Sequence, residues 1–229
     1  MIAIIPARGG SKGLPGKNVK PLNDIPLIGH TILSAIKAKS ISRVIVSTDD
    51  VEIAQVAKKW GAEVPFMRPD ELAEDVSMVM DAYLYTVDRL ASECNISIDA
   101  FAALLPTVPL RLSSDIDNAI AVFSENKADS VISVTEAPVP IDWYKKIDMN
   151  GALIDISKNN NSVANRQELA QAYVPNGAIY IFQTEKLRQT RQYYLEKTYP
   201  YIMPRDRSAD IDEILDFEWA EFLLNRMDI

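Results

Sequence analysis

The sequence predicts an α/β fold in which helices cover both faces of a mostly parallel sheet. Short continuous apolar runs, typical of strands that are buried on both faces, occupy 2–5, 44–46, 100–105 and 130–134. Segments with apolar residues at helical spacing alternate with these runs, at 26–39, 51–60, 77–92 and 113–124. This alternation requires crossover connections between parallel strands, and it continues from the first residues to position 134.

Local signals support the elements in turn. The helix at 51–60 has Asp50 as its expected N-cap and Gly61 as its stop signal. Pro106 ends the strand at 100–105, and Ser113 or Ser114 opens the helix that follows. These signals agree with the apolar periodicity, so these three elements are predicted by two kinds of evidence.

The alternation breaks at 138–175, where strand-like pieces and a polar run replace the long helices. It resumes with a strand at 177–182, and an amphipathic helix at 212–226 closes the chain. The simplest interpretation is one domain over 1–229 with an excursion at 138–175. Such an excursion either covers a site or packs against a second subunit.

Composition excludes several classes of protein. The chain has 229 residues, 48% of them apolar and 24% charged, as in a folded domain that needs no disulfide. Its net charge of −8 gives no general attraction for nucleic acid, so we expect no nucleic-acid partner. The single cysteine, the lack of a long apolar run and the lack of a basic segment before the first strand favour a cytoplasmic enzyme without a membrane partner.

A glycine-rich segment with the sequence ARGGSKGLPGKN follows the first strand at 7–18. Parallel strands bind ligands beyond their carboxyl ends, which places this segment on one rim with 47–50 and 106–111. Glycines let backbone N–H groups approach an anion closely, and Lys and Arg add charge, so the segment predicts a triphosphate-binding loop. It is neither a Walker A motif, because five residues separate Gly10 from Gly16, nor GxGxxG, because Arg8 stands at the first glycine position.

Two carboxylates and one cation add weaker signals. Asp210 and Asp212 share a face if the segment is extended, and carboxylates beside a phosphate site favour Mg²⁺. Aspartates before a helix are also common N-caps, so the spacing alone leaves metal binding and capping open. Arg111 binds an anion or pairs with a surface carboxylate, whereas His30 and Cys94 are expected to be structural.

The motifs together resemble those of the CMP-sialic acid synthetases, or N-acylneuraminate cytidylyltransferases, including the enzymes for legionaminic and pseudaminic acids. The resemblance rests on 7–18 and on VSTDD at 46–50, VPFMRP at 64–69, PTVPLR at 106–111, PNGAIYI at 175–181 and RSADIDEILDFEWAEFLL at 207–224. It implies a Rossmann-like nucleotidyltransferase fold, a homodimer formed through 138–175, and Mg²⁺ as cofactor. It also implies that CTP and a nine-carbon acid sugar give CMP-sugar and pyrophosphate.

The resemblance further implies roles for single residues. Lys17, Arg8 and Arg166 are expected to be catalytic, with Arg166 lent across the dimer interface. The implied nucleotide-binding residues are Ala7, Arg8, Gly9, Gly10, Ser11, Lys12, Lys17, Asn18, Arg68 and Ser77. The implied sugar-binding residues are Leu105, Thr107, Arg111, Asn176, Tyr180, Tyr193 and Tyr194. Asp210 and Asp212 match the family's metal-binding aspartates.

One motif departs from the family pattern. Where the family commonly reads QPTSPLR, this chain has Leu105 and Val108 in place of Gln and Ser. Leucine neither donates nor accepts a hydrogen bond, so a sugar hydroxyl bound by that Gln would be unpaired here. N-acetylneuraminate or a close relative such as legionaminate is therefore the expected sugar, with pseudaminate or Kdo as alternatives. A non-catalytic nucleotide-binding subunit of the same fold is the alternative of another class.

Overall fold

The computed structural model describes residues 1–10, 13–74, 78–156 and 169–227. The strands are β1 (Ile2–Pro6), β2 (Pro21–Leu22), β3 (Ile25–Pro26), β4 (Arg43–Ser47), β5 (Ala100–Ala103), β6 (Ser130–Glu136), β7 (Lys145–Ile147), β8 (Leu153–Asp155), β9 (Tyr173–Gln183) and β10 (Thr198–Ile202). The helices are α1 (Leu27–Lys37), α2 (Val51–Lys59), α3 (Val79–Cys94), α4 (Ser113–Glu125), α5 (Thr184–Thr190) and α6 (Ile214–Arg226). Among the described helices, none has the length and apolar character needed to cross a membrane.

The main sheet has the strand order β10-β6-β9-β5-β1-β4. β1 is parallel to β4 and β5, and β6 is parallel to β10, which confirms the predicted α/β fold with a mostly parallel sheet. β9 is the exception, because it runs antiparallel to both β5 and β6. An apolar strand buried on both faces has the same sequence pattern in either direction, so the sequence did not reveal this reversal.

The apolar run of β1 is continuous because alternate residues enter two different cores. Ile5 belongs to the core that includes Ile28 and Ile32 of α1. Ile4 belongs to the opposite core, which includes Tyr83 of α3 and Phe101 of β5. Burying each large apolar side chain contributes about 1.5–3 kcal/mol, so the centre of the sheet is a stable platform for the loops at its carboxyl edge.

Most predicted boundaries agree with the structure, and one difference affects the site. The last helix begins at Ile214, and the Asp216 carboxylate accepts hydrogen bonds from the backbone N–H groups of Asp212 (3.0 Å) and Glu213 (2.9 Å). The Asp216 side chain therefore binds the first free N–H groups of α6. Capping of this helix by Asp212, one of the two roles that the sequence left open, was wrong. The Asp212 side chain remains available to the cleft described below.

The excursion predicted after position 138 contains a protruding antiparallel hairpin of β7 and β8. We refer to residues 141–156 as the arm. Large apolar side chains on the arm face solvent, with Ile147 72% exposed and Leu153 73% exposed. A surface of this kind is unusual on a protein that functions as a monomer, because contiguous apolar patches usually mark contact sites.

Candidate active site

A cleft of about 510 Å³ opens at the carboxyl ends of β1 and β5. Residues from distant parts of the chain line it, including Arg8, Lys17, Asn18, Arg68, Thr107 and Asp212. The backbone N–H of Ala7 donates to the Ser47 carbonyl at 3.0 Å, which ties the ends of β1 and β4 together below the cleft. The sequence predicted this convergence of segments on one rim, and the structure places them there.

Two glycines of the loop after β1 allow close approaches that no other residue permits. A Cβ atom on Gly13 would lie 2.3 Å from the Asp212 carbonyl oxygen, and one on Gly9 would lie 2.6 Å from Asp50 Oδ2. The loop then turns at Gly16, whose φ of 66° is in the left-handed region. The loop therefore packs directly against the segment that carries Asp210 and Asp212.

Lys17 connects the loop after β1 to the segment before α6. Its ammonium group donates to the Ile211 carbonyl at 2.7 Å and lies 3.1 Å from Asp212 Oδ1. The Asp212 side chain is 83% exposed, so this ion pair is open to solvent and adds little stability. Its importance is geometric, because it places one cation and one carboxylate at the same wall of the cleft.

Asp210 lies close to Asp212 on the same segment. The protein packed around Asp210 raises the pKa of its carboxyl group, and the charges of Asp212 and Asp216 add to the rise. A hydrogen bond from Thr107 and the Lys17 ammonium oppose it. The carboxyl groups of Asp212 and Asp216 thus lie near enough to Asp210 to act on it, and a bound cation would relieve their mutual repulsion.

The two carboxylates fit Mg²⁺ as a shared ligand set. No cluster of three or more His, Cys, Asp or Glu side chains that could hold a metal occurs within the described ranges. Mg²⁺ is typically held by one or two carboxylates together with phosphate oxygens and waters. Asp210 and Asp212 supply the protein part of such a set, and a nucleotide in the cleft would supply the phosphate part.

Asn18 and Arg68 bring two unsatisfied polar atoms to the cleft. Both residues are buried, and neither Asn18 Oδ1 nor Arg68 Nε has a hydrogen-bond partner among the residues that the structure describes. The Asn18 amide nitrogen donates to the Arg8 carbonyl at 3.0 Å, which leaves the oxygen as the unpaired atom. Buried polar atoms without partners cost about 1–3 kcal/mol each, so this pair is suited to a polar ligand.

Asp49 holds Arg68 in place, and sequence reasoning gave it no role. Its Oδ1 accepts from Arg68 NH2 at 3.0 Å, and both its oxygens lie 3.4 Å from the backbone nitrogen of Gly9. Burial lowers the pKa of the Arg68 guanidinium, and the Asp49 charge opposes that shift. The position of Asp49 in the polar segment after β4 was the one available signal.

Leu105 and the buried Val108 place apolar side chains beside Asp210. A Cβ atom on Gly177 would lie 3.3 Å from Leu105 Cδ1, 3.5 Å from Val108 Cγ2 and 3.4 Å from Asp210 Oδ2. Gly177 has a φ of 75°, and it leaves room for all three side chains. Leu105 also lines the cleft, so the wall next to Asp210 is apolar at this point.

The predicted tyrosines lie next to one another, outside the lining of the cleft. The rings of Tyr180 and Tyr193 have their centroids 5.3 Å apart, while Tyr194 is exposed. Burial raises the pKa of Tyr180 to about 12, and the Asp210 carboxylate contributes to the rise. Tyr180 is therefore a neutral hydroxyl close to the carboxylate segment.

Two of the predicted sugar-binding residues form their hydrogen bonds within the protein. Arg111 is buried and donates to the Ala178 carbonyl at 2.6 Å and to Thr31 Oγ1 at 2.8 Å, and burial lowers its pKa to about 9. Asn176 is also buried, with hydrogen bonds to Ser133 and Ser208. Neither lines the cleft, which differs from the sequence-based expectation. A cation or amide at a loop end has the same sequence signature whether it faces a ligand or backbone carbonyls.

Other predicted residues divide into two groups. Ala7, Arg8 and Thr107 line the cleft, while Gly9 and Gly10 belong to the loop beside it. The remaining predictions lie outside the described residues: Ser11, Lys12, Ser77 and Arg166.

Comparison with known proteins identifies the family of this chain. Residues 2–229 match the cytidylyltransferase family. The chain is 33% identical to a CMP-N,N'-diacetyllegionaminic acid synthase of Legionella pneumophila, over 98% of this chain and 96% of that protein. It is 35% identical to an N-acylneuraminate cytidylyltransferase of Escherichia coli over 96% of this chain, which is 51% of that longer protein.

The fold has a matching solved structure. A CMP:2-keto-3-deoxy-manno-octonic acid synthetase complexed with CTP aligns over 98% of both chains with a TM-score of 0.74 and 16% identity. This likeness confirms the nucleotidyltransferase fold predicted from the motifs. The extent of the family match and the identity to full-length relatives show that the chain belongs to the cytidylyltransferase family, a family of nucleotidyltransferase enzymes.

Proposed function

We propose that this protein uses CTP to activate a nine-carbon acid sugar, forming CMP-sugar and releasing pyrophosphate. The observation that carries the proposal is one cleft in which the cationic glycine loop after β1 meets the Asp212 carboxylate, with Asp210 two residues before it on the segment that leads into α6. The anomeric hydroxyl of the sugar forms a bond to the α-phosphorus of CTP. The bond from that phosphorus to the β-phosphate oxygen breaks, and the hydroxyl proton passes to solvent.

Asn18 and Arg68 support cytosine as the base. The unpaired Asn18 Oδ1 is an acceptor and the unpaired Arg68 Nε is a donor. Cytosine presents an exocyclic amino donor beside ring acceptors, whereas uracil presents a carbonyl at the position of the amino group. A buried acceptor therefore binds cytosine and leaves uracil with two opposed acceptors.

Lys17 and Arg8 are suited to the phosphates. The Lys17 ammonium faces the cleft beside Asp212, where it can stabilise the charge that develops on the leaving pyrophosphate. Asp210 and Asp212 would hold Mg²⁺, which when bound neutralises phosphate charge and lowers the pKa of the attacking hydroxyl.

The sugar class follows from relatives and from Leu105. Two relatives of similar identity are named for diacetyllegionaminic acid and for N-acylneuraminate, which are both acid sugars. The apolar wall formed by Leu105 next to Asp210 suits a sugar that presents a less polar group there. We therefore propose a legionaminate-type sugar in preference to N-acetylneuraminate, in a cytoplasmic enzyme.

We also propose a homodimer formed through the arm. The exposed side chains of Ile147, Leu153 and Ile154 lie on the two strands of one hairpin, and a second copy would remove them from water. The segment that contains Arg166 follows the arm in sequence. A dimer of this kind would let the partner add a cation to the sugar side of the cleft.

The test is pyrophosphate release from CTP with Mg²⁺, measured with legionaminic, N-acetylneuraminic, pseudaminic and Kdo acids and without any sugar. Release that requires one of these sugars, and that is lost with UTP, supports the proposal. Release from CTP without a sugar would show a different reaction. CTP binding without release from any sugar would favour a non-catalytic nucleotide-binding subunit.

A further inference from the structure

The segment from 203 to 212 carries Asp212 of the cleft lining and Asp210 two residues before it, but it has little regular structure of its own. We infer that Arg207, Asp115 and Asn176 are positioning residues, which hold this segment so that Asp210 and Asp212 can share one divalent cation. The inference rests on the proposed function. It assigns a purpose to three side chains that do not line the cleft.

The first anchor is an ion pair between Arg207 and Asp115. Arg207 donates twice to the Asp115 carboxylate, from NH2 at 2.7 Å and from Nε at 3.3 Å. Asp115 is 1% exposed, and it also accepts from the Tyr201 hydroxyl at 2.9 Å and the Leu112 backbone at 2.8 Å. Because Asp115 lies in the first turn of α4, the pair ties the segment to a fixed point of the fold.

The second anchor is Asn176 of β9, which holds Ser208, the residue that follows Arg207 on the segment. Its side-chain nitrogen donates to Ser208 Oγ at 2.8 Å, and its oxygen accepts from Ser133 Oγ at 2.6 Å. Ser133 lies where the β6–β9 register shifts, and its hydroxyl also accepts from the Ile179 backbone at 2.7 Å. Asn176 of β9 therefore holds Ser208 directly, and Ser133 of the neighbouring strand β6 holds Asn176.

The downstream end of the segment is fixed as well. The backbone N–H of Ile211 donates to the Thr107 carbonyl at 2.9 Å, and the Ile211 side chain is buried with Phe217 of α6. Asp210 thus lies between two fixed residues, Ser208 and Ile211. Removal of the upstream anchors would free one end of this short span and disorder the Asp210 carboxylate relative to Asp212.

This arrangement predicts an effect on metal binding that is separable from base binding. Side chains that orient metal ligands without touching the metal typically change metal affinity by about 10–100-fold when they are removed. Asn18 and Arg68 lie on other segments and keep their own partners, so recognition of the base is not expected to depend on Arg207.

The experiment measures Mn²⁺ binding to the whole protein by electron paramagnetic resonance, with and without CTP. We expect Arg207→Ala and Asn176→Ala each to weaken Mn²⁺ binding in the presence of CTP by about tenfold. Arg207→Lys keeps the charge but loses the paired hydrogen bonds, so it should recover part of the affinity. The Kd for CTP without metal should stay within about twofold of the wild-type value, since the base site is intact.

A matched control is the pair between Arg43 and Glu63 at the start of β4, which also uses Nε and NH2, at 2.8 and 2.5 Å. Arg43→Ala should leave Mn²⁺ binding unchanged. Hydrogen exchange at 205–212 should increase in Arg207→Ala and not in Arg43→Ala. Arg207 is partly exposed, so its variants remain informative even if Asp115→Asn does not fold.

The Asp210→Asn variant distinguishes a failure of the proposed metal site from a failure of the positioning role. If Asp210→Asn loses Mn²⁺ binding but Arg207→Ala and Asn176→Ala bind Mn²⁺ like wild type, the anchors are merely structural and the inference is overturned. If Asp210→Asn itself binds Mn²⁺ normally, the proposed metal site is wrong and the positioning role falls with it. Parallel losses in all three variants, with the Arg43→Ala control unchanged, support the inference.

Discussion

The nucleotide side of the cleft and the arm differ in how far the protein itself buries and contacts their side chains. On the nucleotide side, Asn18 and Arg68 are buried residues of the cleft lining, and each has protein partners but keeps one polar atom without a hydrogen bond. On the arm, Ile147 and Leu153 are largely exposed and lie outside the two main cores. Under the proposed function, this difference predicts that one chain binds the nucleotide alone, whereas the arm is covered by a second copy.

The largest expected effect comes from Asp210, where the nucleotide side meets the sugar side. We expect Asp210→Asn to fold and to lose about 10³-fold in kcat for pyrophosphate release, because the loss removes charge stabilisation worth several kcal/mol. Asp206→Asn, which changes an exposed aspartate on the same segment, is the control and should keep wild-type kcat. A rate for Asp210→Asn within twofold of wild type at saturating Mg²⁺, about the error of such assays, would remove Asp210 from the mechanism.

Base recognition is the next effect, and it tests whether the nucleotide side is complete in one chain. Asn18→Ala removes the unpaired acceptor, so we expect the preference for CTP over UTP in kcat/KM to fall by about tenfold or more. Thr31, a buried polar residue outside the cleft lining, offers a control in Thr31→Val, which should keep the preference even if stability falls. An unchanged preference in Asn18→Ala would place the cytosine edge elsewhere.

The arm prediction concerns assembly. Leu153→Asp places a charge in the proposed interface, so we expect the dimer to dissociate about 100-fold more readily in sedimentation velocity, since an unpaired buried charge costs several kcal/mol. Metal-free CTP binding should persist in the resulting monomer. Leu215→Asp on α6 is a matched control, because Leu215 is 66% exposed.

Two results would contradict the arm prediction. A wild-type protein that sediments as a monomer at all concentrations has no dimer to weaken. A dimer that is lost with Leu215→Asp and kept with Leu153→Asp would move the interface from the arm to α6.

Sequence reasoning predicted the glycine loop and the rim because their signals are contiguous. Four of the eight glycines and three cations fall within 7–18, directly after an apolar run, and no folding information is needed to group them. Parallel-sheet geometry then brings three strand ends to one edge. These inferences required only local patterns and one topological rule.

The remaining features depend on distant partners. Arg68 and Asp49 are 19 residues apart, on either side of α2. They meet only because the loops before and after this helix lie at the same edge of the sheet. The inward direction of Arg111 depends on the Ala178 carbonyl of β9, an antiparallel strand whose direction the sequence pattern does not encode. Asp216, and not Asp212, accepts the first N–H groups at the start of α6, because the helix begins at Ile214, two residues later than the sequence pattern predicted.

Leu105 gives the smallest expected effect and the sharpest test of the sugar side. Leu105→Gln adds a hydrogen-bonding amide to the apolar wall beside Asp210, so we expect relative kcat/KM to shift toward N-acetylneuraminate by about tenfold, the size of one or two new hydrogen bonds. Leu105→Met, which preserves apolar volume, should leave the ranking of sugars unchanged. If Leu105→Gln and Leu105→Met give the same ranking, position 105 has no part in specificity. Sugar choice would then depend on other residues of the site.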